Sequence, residues 1–226
     1  MTGSDPAPRS TRRRIGLLGG TFDPIHAGHL ALAGWARDEL ALDEVRLIPT
    51  GRSWQKSGDA TPAADRLAMT RLAAATQPWL IADDREIRRA GSTYTVDTLI
   101  ELRAELGPEP ALIWLLGSDQ LHNLATWDRY EALLTYAHLA VTQRERIALR
   151  DFPQPVEALL ARHGAQCLPD APAGALVFFR MPPVPVSATV LRQRLAAGDR
   201  PTELVPAPVL DYIDRAGLYG RRPATT

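Results

Sequence analysis

Two histidines three positions apart, His26 and His29, sit in the stretch Gly19-Gly20-Thr21-Phe22-Asp23-Pro24-Ile25-His26-Ala27-Gly28-His29-Leu30. Imidazoles so spaced could ligate a metal, donate to a phosphate, or stand exposed beside an Asp-Pro turn. The stretch is not a P-loop, Gly16, Gly19 and Gly20 do not make G-x-G-x-x-G, and H-E-x-x-H is absent. Zinc could take both histidines from one helix, but a catalytic zinc needs a third protein ligand. An anion suits the pattern better. Gly19 and Gly20 let backbone approach a ligand directly after an aliphatic run, and Gly28-His29-Leu30 opens a helix whose end stabilises an anion by ~0.3–1 kcal/mol. Imidazole donors there would add charge-assisted hydrogen bonds of ~1.5–3 kcal/mol each.

Other segments carry complementary groups. Lys56, after Pro49, can meet phosphate as a point charge, or be a solvated loop lysine. Thr95 starts a helix whose unpaired N–H groups could receive a carboxylate, with Asp97 complementing the dipole; a plain helix cap is the alternative. Gly117 permits close approach, and Asp119 can accept from hydroxyl or amine donors of a ligand. Ser187 could cap a helix whose first N–H groups, with the Thr189 hydroxyl, face an anion. Arg192 can lean back over that turn toward the same anion, and Arg144 follows the fifth aliphatic run.

These groups need a scaffold. Six aliphatic runs, RIGLL, VRLIP, WLIAD, ALIWLLG, HLAVTQ and GALVFF, are continuously apolar, as strands covered on both faces should be. Helical patterns alternate with them. In TVDTLIELRAELG, Val96, Leu99, Ile100, Leu102 and Leu106 form the apolar stripe and Gly107-Pro108 the stop. The alternation predicts an α/β fold, a doubly wound parallel sheet of Rossmann type, with ligands at the carboxyl ends of the strands.

Composition bounds the rest. The chain has 226 residues, and 26 basic against 26 acidic side chains leave no global field toward nucleic acid or membrane. One cysteine, Cys167, makes no internal disulfide, and the apolar stretch Ile15 to Leu18 is too short for export or for crossing a bilayer. The cytoplasm is the default location. Residues 1–13 and 220–226 read as flexible tails around one domain, 14–219.

The first block resembles the H-x-G-H signature of the nucleotidyltransferase superfamily, and G-G-T-F-D-P-I-H-x-G-H-L resembles the bacterial nicotinate-nucleotide adenylyltransferase family in particular. Further blocks are similar to that family's: Tyr94, Thr95, Asp97, Thr98 and Leu99 to S-Y-T-x-D-T-L, Gly117 and Asp119 to G-x-D, Trp127 to N-L-x-x-W, and Val186 to Arg192 to I-S-S-T-x-I-R. Its P-P-H-K is kept only at Lys56, with Ser53, Trp54 and Gln55 in the other positions. The resemblance implies a Rossmann-like enzyme that joins ATP and nicotinate mononucleotide, with Mg²⁺ carried by the ATP phosphates. It implies His26, His29, Lys56 and Arg192 as catalytic groups. Gly19, Gly20, Thr21, Phe22, Gly28, Gly117, Asp119, Arg144, Ser187 and Thr189 would hold ATP; Tyr94, Thr95, Trp54 and a stacking Trp127 would hold the mononucleotide. Related adenylyltransferases acting on other acceptors share the phosphate loops but not the Tyr94-Thr95 and Trp127 blocks. A metal-dependent hydrolase using His26 and His29, and a catalytically dead nucleotide-binding regulator, are the competing classes.

Overall fold

The computed structural model describes residues 12–51, 61–143 and 152–220. Strand β1 (Arg14–Gly20) leads into helix α1 (Ala27–Leu40), β2 (Glu44–Pro49), α2 (Ala63–Ala74) and a short β3 (Leu80–Ala82). A one-turn α3 (Arg85–Arg88) and α4 (Thr95–Leu106) precede β4 (Ala111–Gly117). Next come α5 (Ser118–His122), 3-10 turns at Leu124–Thr126 and Tyr130–Ala132, α6 (Leu133–Tyr136) and β5 (His138–Gln143). The described chain closes with α7 (Gln154–His163), β6 (Leu176–Arg180), α8 (Ala188–Ala196), α9 (Ala207–Ala216) and a 3-10 turn, Leu218–Gly220.

All strand pairs are parallel, in the order β3-β2-β1-β4-β5-β6. The chain winds outward from β1 to β3, returns, and winds outward again from β4, so its direction reverses between β1 and β4. That is the switch point at which a doubly wound sheet opens a crevice beyond its carboxyl ends.

Alternation along each strand feeds two cores. On β4, Ala111, Ile113 and Leu115 join the core under α1, α2, α8 and α9, whereas Leu112, Trp114 and Leu116 join the one under α4, α5, α6 and α7. Both faces are covered, which is why the strands read as unbroken apolar runs. Gly107, at φ 77, ends α4 where the sequence placed its stop.

Some boundaries differ from expectation. Arg12 and Arg13, expected in a tail, are anchored: Arg12 pairs with Glu109 and Asp170, Arg13 with Glu44, and the Arg13 carbonyl accepts from Ala111. Ile100, expected on the buried stripe of α4, is 37% exposed, and Thr98 is buried instead because its hydroxyl donates to Glu86 at 2.8 Å. Near the sheet edge, Arg46 meets Glu44 at 2.9 Å and Glu105 at 3.2 Å, while Arg85 meets Asp83 at 2.7 Å and Glu105 at 2.8 Å. These pairs tie β2, α3 and α4 together beside the short β3. Among the described residues, no helix is long and apolar enough to cross a membrane.

Candidate active site

The loop between β1 and α1 leaves the sheet at the switch point. Residues Gly20 and Pro49 are in register, and the Gly20 carbonyl accepts from Thr50 N–H at 2.8 Å, so the loops after β1 and β2 depart side by side. Gly19 and Gly20 were expected to admit a ligand. Their immediate neighbours are protein: a Cβ on Gly19 would lie 2.7 Å from the Trp114 indole, and one on Gly20 2.8 Å from the Phe22 ring. Phe22, expected to line the nucleotide's approach, is only 1% exposed and stands edge-on behind His29, with ring centroids 4.9 Å apart. Its bulk fixes the imidazole from the protein side.

Helix α1 begins one residue earlier than its glycine suggested. His26 occupies the N-cap in extended backbone, and His29 stands at the third helical position. The His26 N–H donates to His29 Nδ1 at 3.3 Å, and the two rings stack with centroids 3.8 Å apart and 23° between planes. With Nδ1 accepting, the His29 ring proton belongs on Nε2, the atom that can donate to an anion. Gly28 is explained by contact: a Cβ there would approach Val186 Cγ1 to 2.7 Å and the His26 ring to 3.1 Å. That contact brings the first and last sequence blocks together. Not every N–H of the helix end serves a ligand, because Ala27 N–H donates to the Leu204 carbonyl at 2.7 Å.

Supports for this loop come from far along the chain. Arg192 Nη1 donates to the Asp23 carbonyl at 2.8 Å and Nη2 to Thr189 Oγ1 at 3.4 Å, so this side chain does reach back over the first turn of α8. Ser187 holds the N-cap position of α8, but its side chain makes no cap bond; it is exposed, as is Thr189. Arg66 is 4% exposed on α2 and donates to the carbonyls of Thr21 at 2.8 Å, Thr61 at 3.0 Å and Gly51 at 3.3 Å. Burial pulls its pKa below the ordinary arginine value, with Asp23 opposing. The Tyr219 hydroxyl donates to Asp23 Oδ1 at 2.6 Å. Neither Arg66 nor Tyr219 was singled out in the sequence. A signal existed for the first: Arg66, Met69 and Ala73 share the buried stripe of α2 at i, i+3 and i+7.

A second cluster lies around the start of α4. Tyr94 is its N-cap and Thr95 its first residue, as expected, and Tyr94 and Trp127 both pack half-buried on the core beneath α4 and α5. Arg129 pairs with Asp97, tying the segment after Trp127 to the first turn of α4. Glu86, buried in α3, accepts from Thr98 and also bonds Thr93 and the Gly51 backbone; burial pushes its carboxyl above the ordinary glutamate value. Gly51 joins the two clusters. Its carbonyl accepts from Arg66, and a Cβ on it would lie 2.0 Å from the Glu86 carbonyl and 3.1 Å from Thr93 Cγ2. Gly117 leaves room for Asp119, whose Oδ1 would be 2.5 Å from a Cβ there, while its N–H donates to Gln120 Oε1 at 3.0 Å. Trp54, Lys56 and Arg144 lie outside the described residues. Among those described, no group of three His, Cys, Asp or Glu side chains could hold a metal ion.

A parallel sheet whose winding reverses between β1 and β4, with stacked histidines on the loop at that point, is the arrangement of a Rossmann-like nucleotidyltransferase fold. The model of the cytidylyltransferase-like family matches residues 17–194. A relative named "Probable nicotinate-nucleotide adenylyltransferase", from Aeromonas salmonicida, is 49% identical over 208 residues, spanning 91% of this chain and 96% of its own. One of the same name from Laribacter hongkongensis is 48% identical over 210 residues, spanning 92% and 95%. The chain belongs to the nicotinate-nucleotide adenylyltransferases within the cytidylyltransferase-like family. In fold it is similar to Plasmodium falciparum nicotinic acid mononucleotide adenylyltransferase complexed with NaAD, with a TM-score of 0.71 at 18% identity, covering 93% of this chain and 99% of that one.

Proposed function

We propose that this chain transfers the adenylyl group of ATP to the phosphate of nicotinate mononucleotide, giving nicotinate adenine dinucleotide and pyrophosphate, a step of NAD biosynthesis. The observation that carries the reading is the His26–His29 pair at the switch point, stacked at 3.8 Å with His29 Nδ1 engaged. A phosphate oxygen of the mononucleotide forms the new bond to the α-phosphorus, and the bond to the bridging oxygen breaks, its electron pair leaving with pyrophosphate. The attacking phosphate is already a competent nucleophile, so the protein's task is positioning and charge stabilisation. His29 Nε2 donates to an oxygen of the reacting phosphate, and His26 stacks against it to fix the ring. Arg192, beside Thr189 and the Asp23 carbonyl, neutralises the leaving pyrophosphate together with Lys56. Mg²⁺ enters as part of the ATP substrate.

The acceptor follows from the names of the relatives and from the cluster at α4. Backbone N–H groups at Thr95 suit a ring carboxylate, and Trp127 offers a face for the pyridine, a contact of ~1–3 kcal/mol by analogy with base stacking. The test is pyrophosphate release from Mg²⁺-ATP with nicotinate mononucleotide, nicotinamide mononucleotide or phosphopantetheine. Release with nicotinate mononucleotide is expected. Silence with both pyridine nucleotides would overturn the reading.

A further inference from the structure

Asp23 lies three residues before His26, is 6% exposed, and collects donors from three distant parts of the chain. Its Oδ2 accepts from Thr61 N–H at 3.2 Å, its backbone carbonyl from Arg192 at 2.8 Å, and its Oδ1 from the Tyr219 hydroxyl at 2.6 Å. The last of these bridges 196 positions of sequence. Left-handed backbone stands next to it on one side and within it on the other, at Phe22 with φ 51 and at Tyr219 with φ 57. Non-glycine residues hold that conformation where their surroundings over-determine it, and such places gather at functional sites. Burial, followed by the bond to Asp23, raises the Tyr219 pKa, so the hydroxyl remains a donor at neutral pH. The hydroxyl also lies 4.0 Å from Met69 Sδ.

We propose that Tyr219 is a positioning residue for adenylyl transfer, acting through Asp23 to fix the loop that presents His26 and His29. This rests on the adenylyl-transfer reading above. A phosphate donor displaced by a fraction of an ångström loses transition-state contact while ground-state binding, shared over many groups, changes little. The effect therefore falls on kcat.

Tyr219→Phe removes the donor and keeps the ring. At temperatures well below the melting point of each variant, kcat is expected to fall about tenfold, with the KM for ATP and for the mononucleotide each within about twofold of the original. Asp23→Ala, which takes the acceptor away, should lose at least that factor, and the double variant should be no slower than Asp23→Ala alone, because Tyr219 acts through Asp23. An unchanged kcat in Tyr219→Phe, or losses that multiply in the double variant, would sink the proposal. A readout independent of the acceptor is the pair of imidazole NMR signals of His26 and His29 in the full chain. They should shift or broaden in both single variants; spectra that superimpose on the original overturn the positioning role. If the original chain releases no pyrophosphate from nicotinate mononucleotide, the acceptor assignment fails, and the imidazole signals still decide the role of Tyr219.

Discussion

Two imidazoles whose centroids lie 3.8 Å apart act as one unit: the His26 ring packs on the His29 ring while the His26 N–H holds His29 Nδ1 at 3.3 Å, leaving Nε2 to face the substrate. Replacing His29 by Ala should lower kcat by ~10²-fold, about 3 kcal/mol of transition-state stabilisation, measured at saturating ATP and mononucleotide. Gly28→Ala tests the packing beside it. Its Cβ would press on Val186 and the His26 ring, so both melting temperature and kcat should drop, the stability loss being about 1–3 kcal/mol by denaturant unfolding. The histidine spacing was legible because the chemistry resides in residue type. The reason for the glycine was not, because Val186 approaches it from 158 positions away (186 − 28).

At the scale of elements, α3 shows how a short segment can carry a large share of the geometry. Its four residues are too few to give a helical period, and six of the seven residues of DDREIRR are charged. Yet Asp83 and Arg85 are each only 8% exposed as side chains, and Glu105, 20 residues on, completes the pairing from α4. Burial pushes the Asp83 carboxyl up, but the bonds from Arg85 and the nearby Arg46 outweigh it and leave the pKa below the ordinary value of 3.8. A carboxylate lowered on folding contributes stability that is present in full above its unfolded pKa and is lost as pH falls through the folded value. Asp83→Asn should therefore cost about 3 kcal/mol at neutral pH, and the gap between it and the original should narrow below pH 3.8. Urea unfolding at neutral pH and near pH 3 checks both halves; a gap that stays constant would remove Asp83 from this account. Thr98 makes the same point. A stripe of apolar residues predicted Ile100 inside, whereas Ile100 is exposed and Thr98 is buried with its hydroxyl on Glu86.

For the molecule as a whole, all six strands were legible because a sheet covered on both faces leaves continuous apolar runs, and their alternation with helical patterns gave the doubly wound class. The contents of the crevice were legible block by block, through resemblance. Their convergence was not, since it depends on Arg66, Gly51, Glu86 and Tyr219, whose partners are remote in sequence. A ligand that spans such a site should stabilise the fold. Mg²⁺-ATP at a hundred times its Kd adds about 2.7 kcal/mol, raising the melting temperature of a chain this size by roughly 5–10 °C in a thermal scan. No shift would mean that ATP is not held by the folded state.

The links from Leu204 to Ala27, from Arg192 to Asp23 and from Tyr219 to Asp23 have a consequence for biogenesis. The residues that hold the loop are made 169 to 196 positions after their partners. A nascent chain can pair β1 with β2 and β4 and bury much of its core long before the histidine loop has its supports. Domains form from the N-terminus onward during translation, and contacts of long sequence separation close last. The histidine loop thus gains these supports only once the segment from Arg192 to Tyr219 has been made and has closed over it.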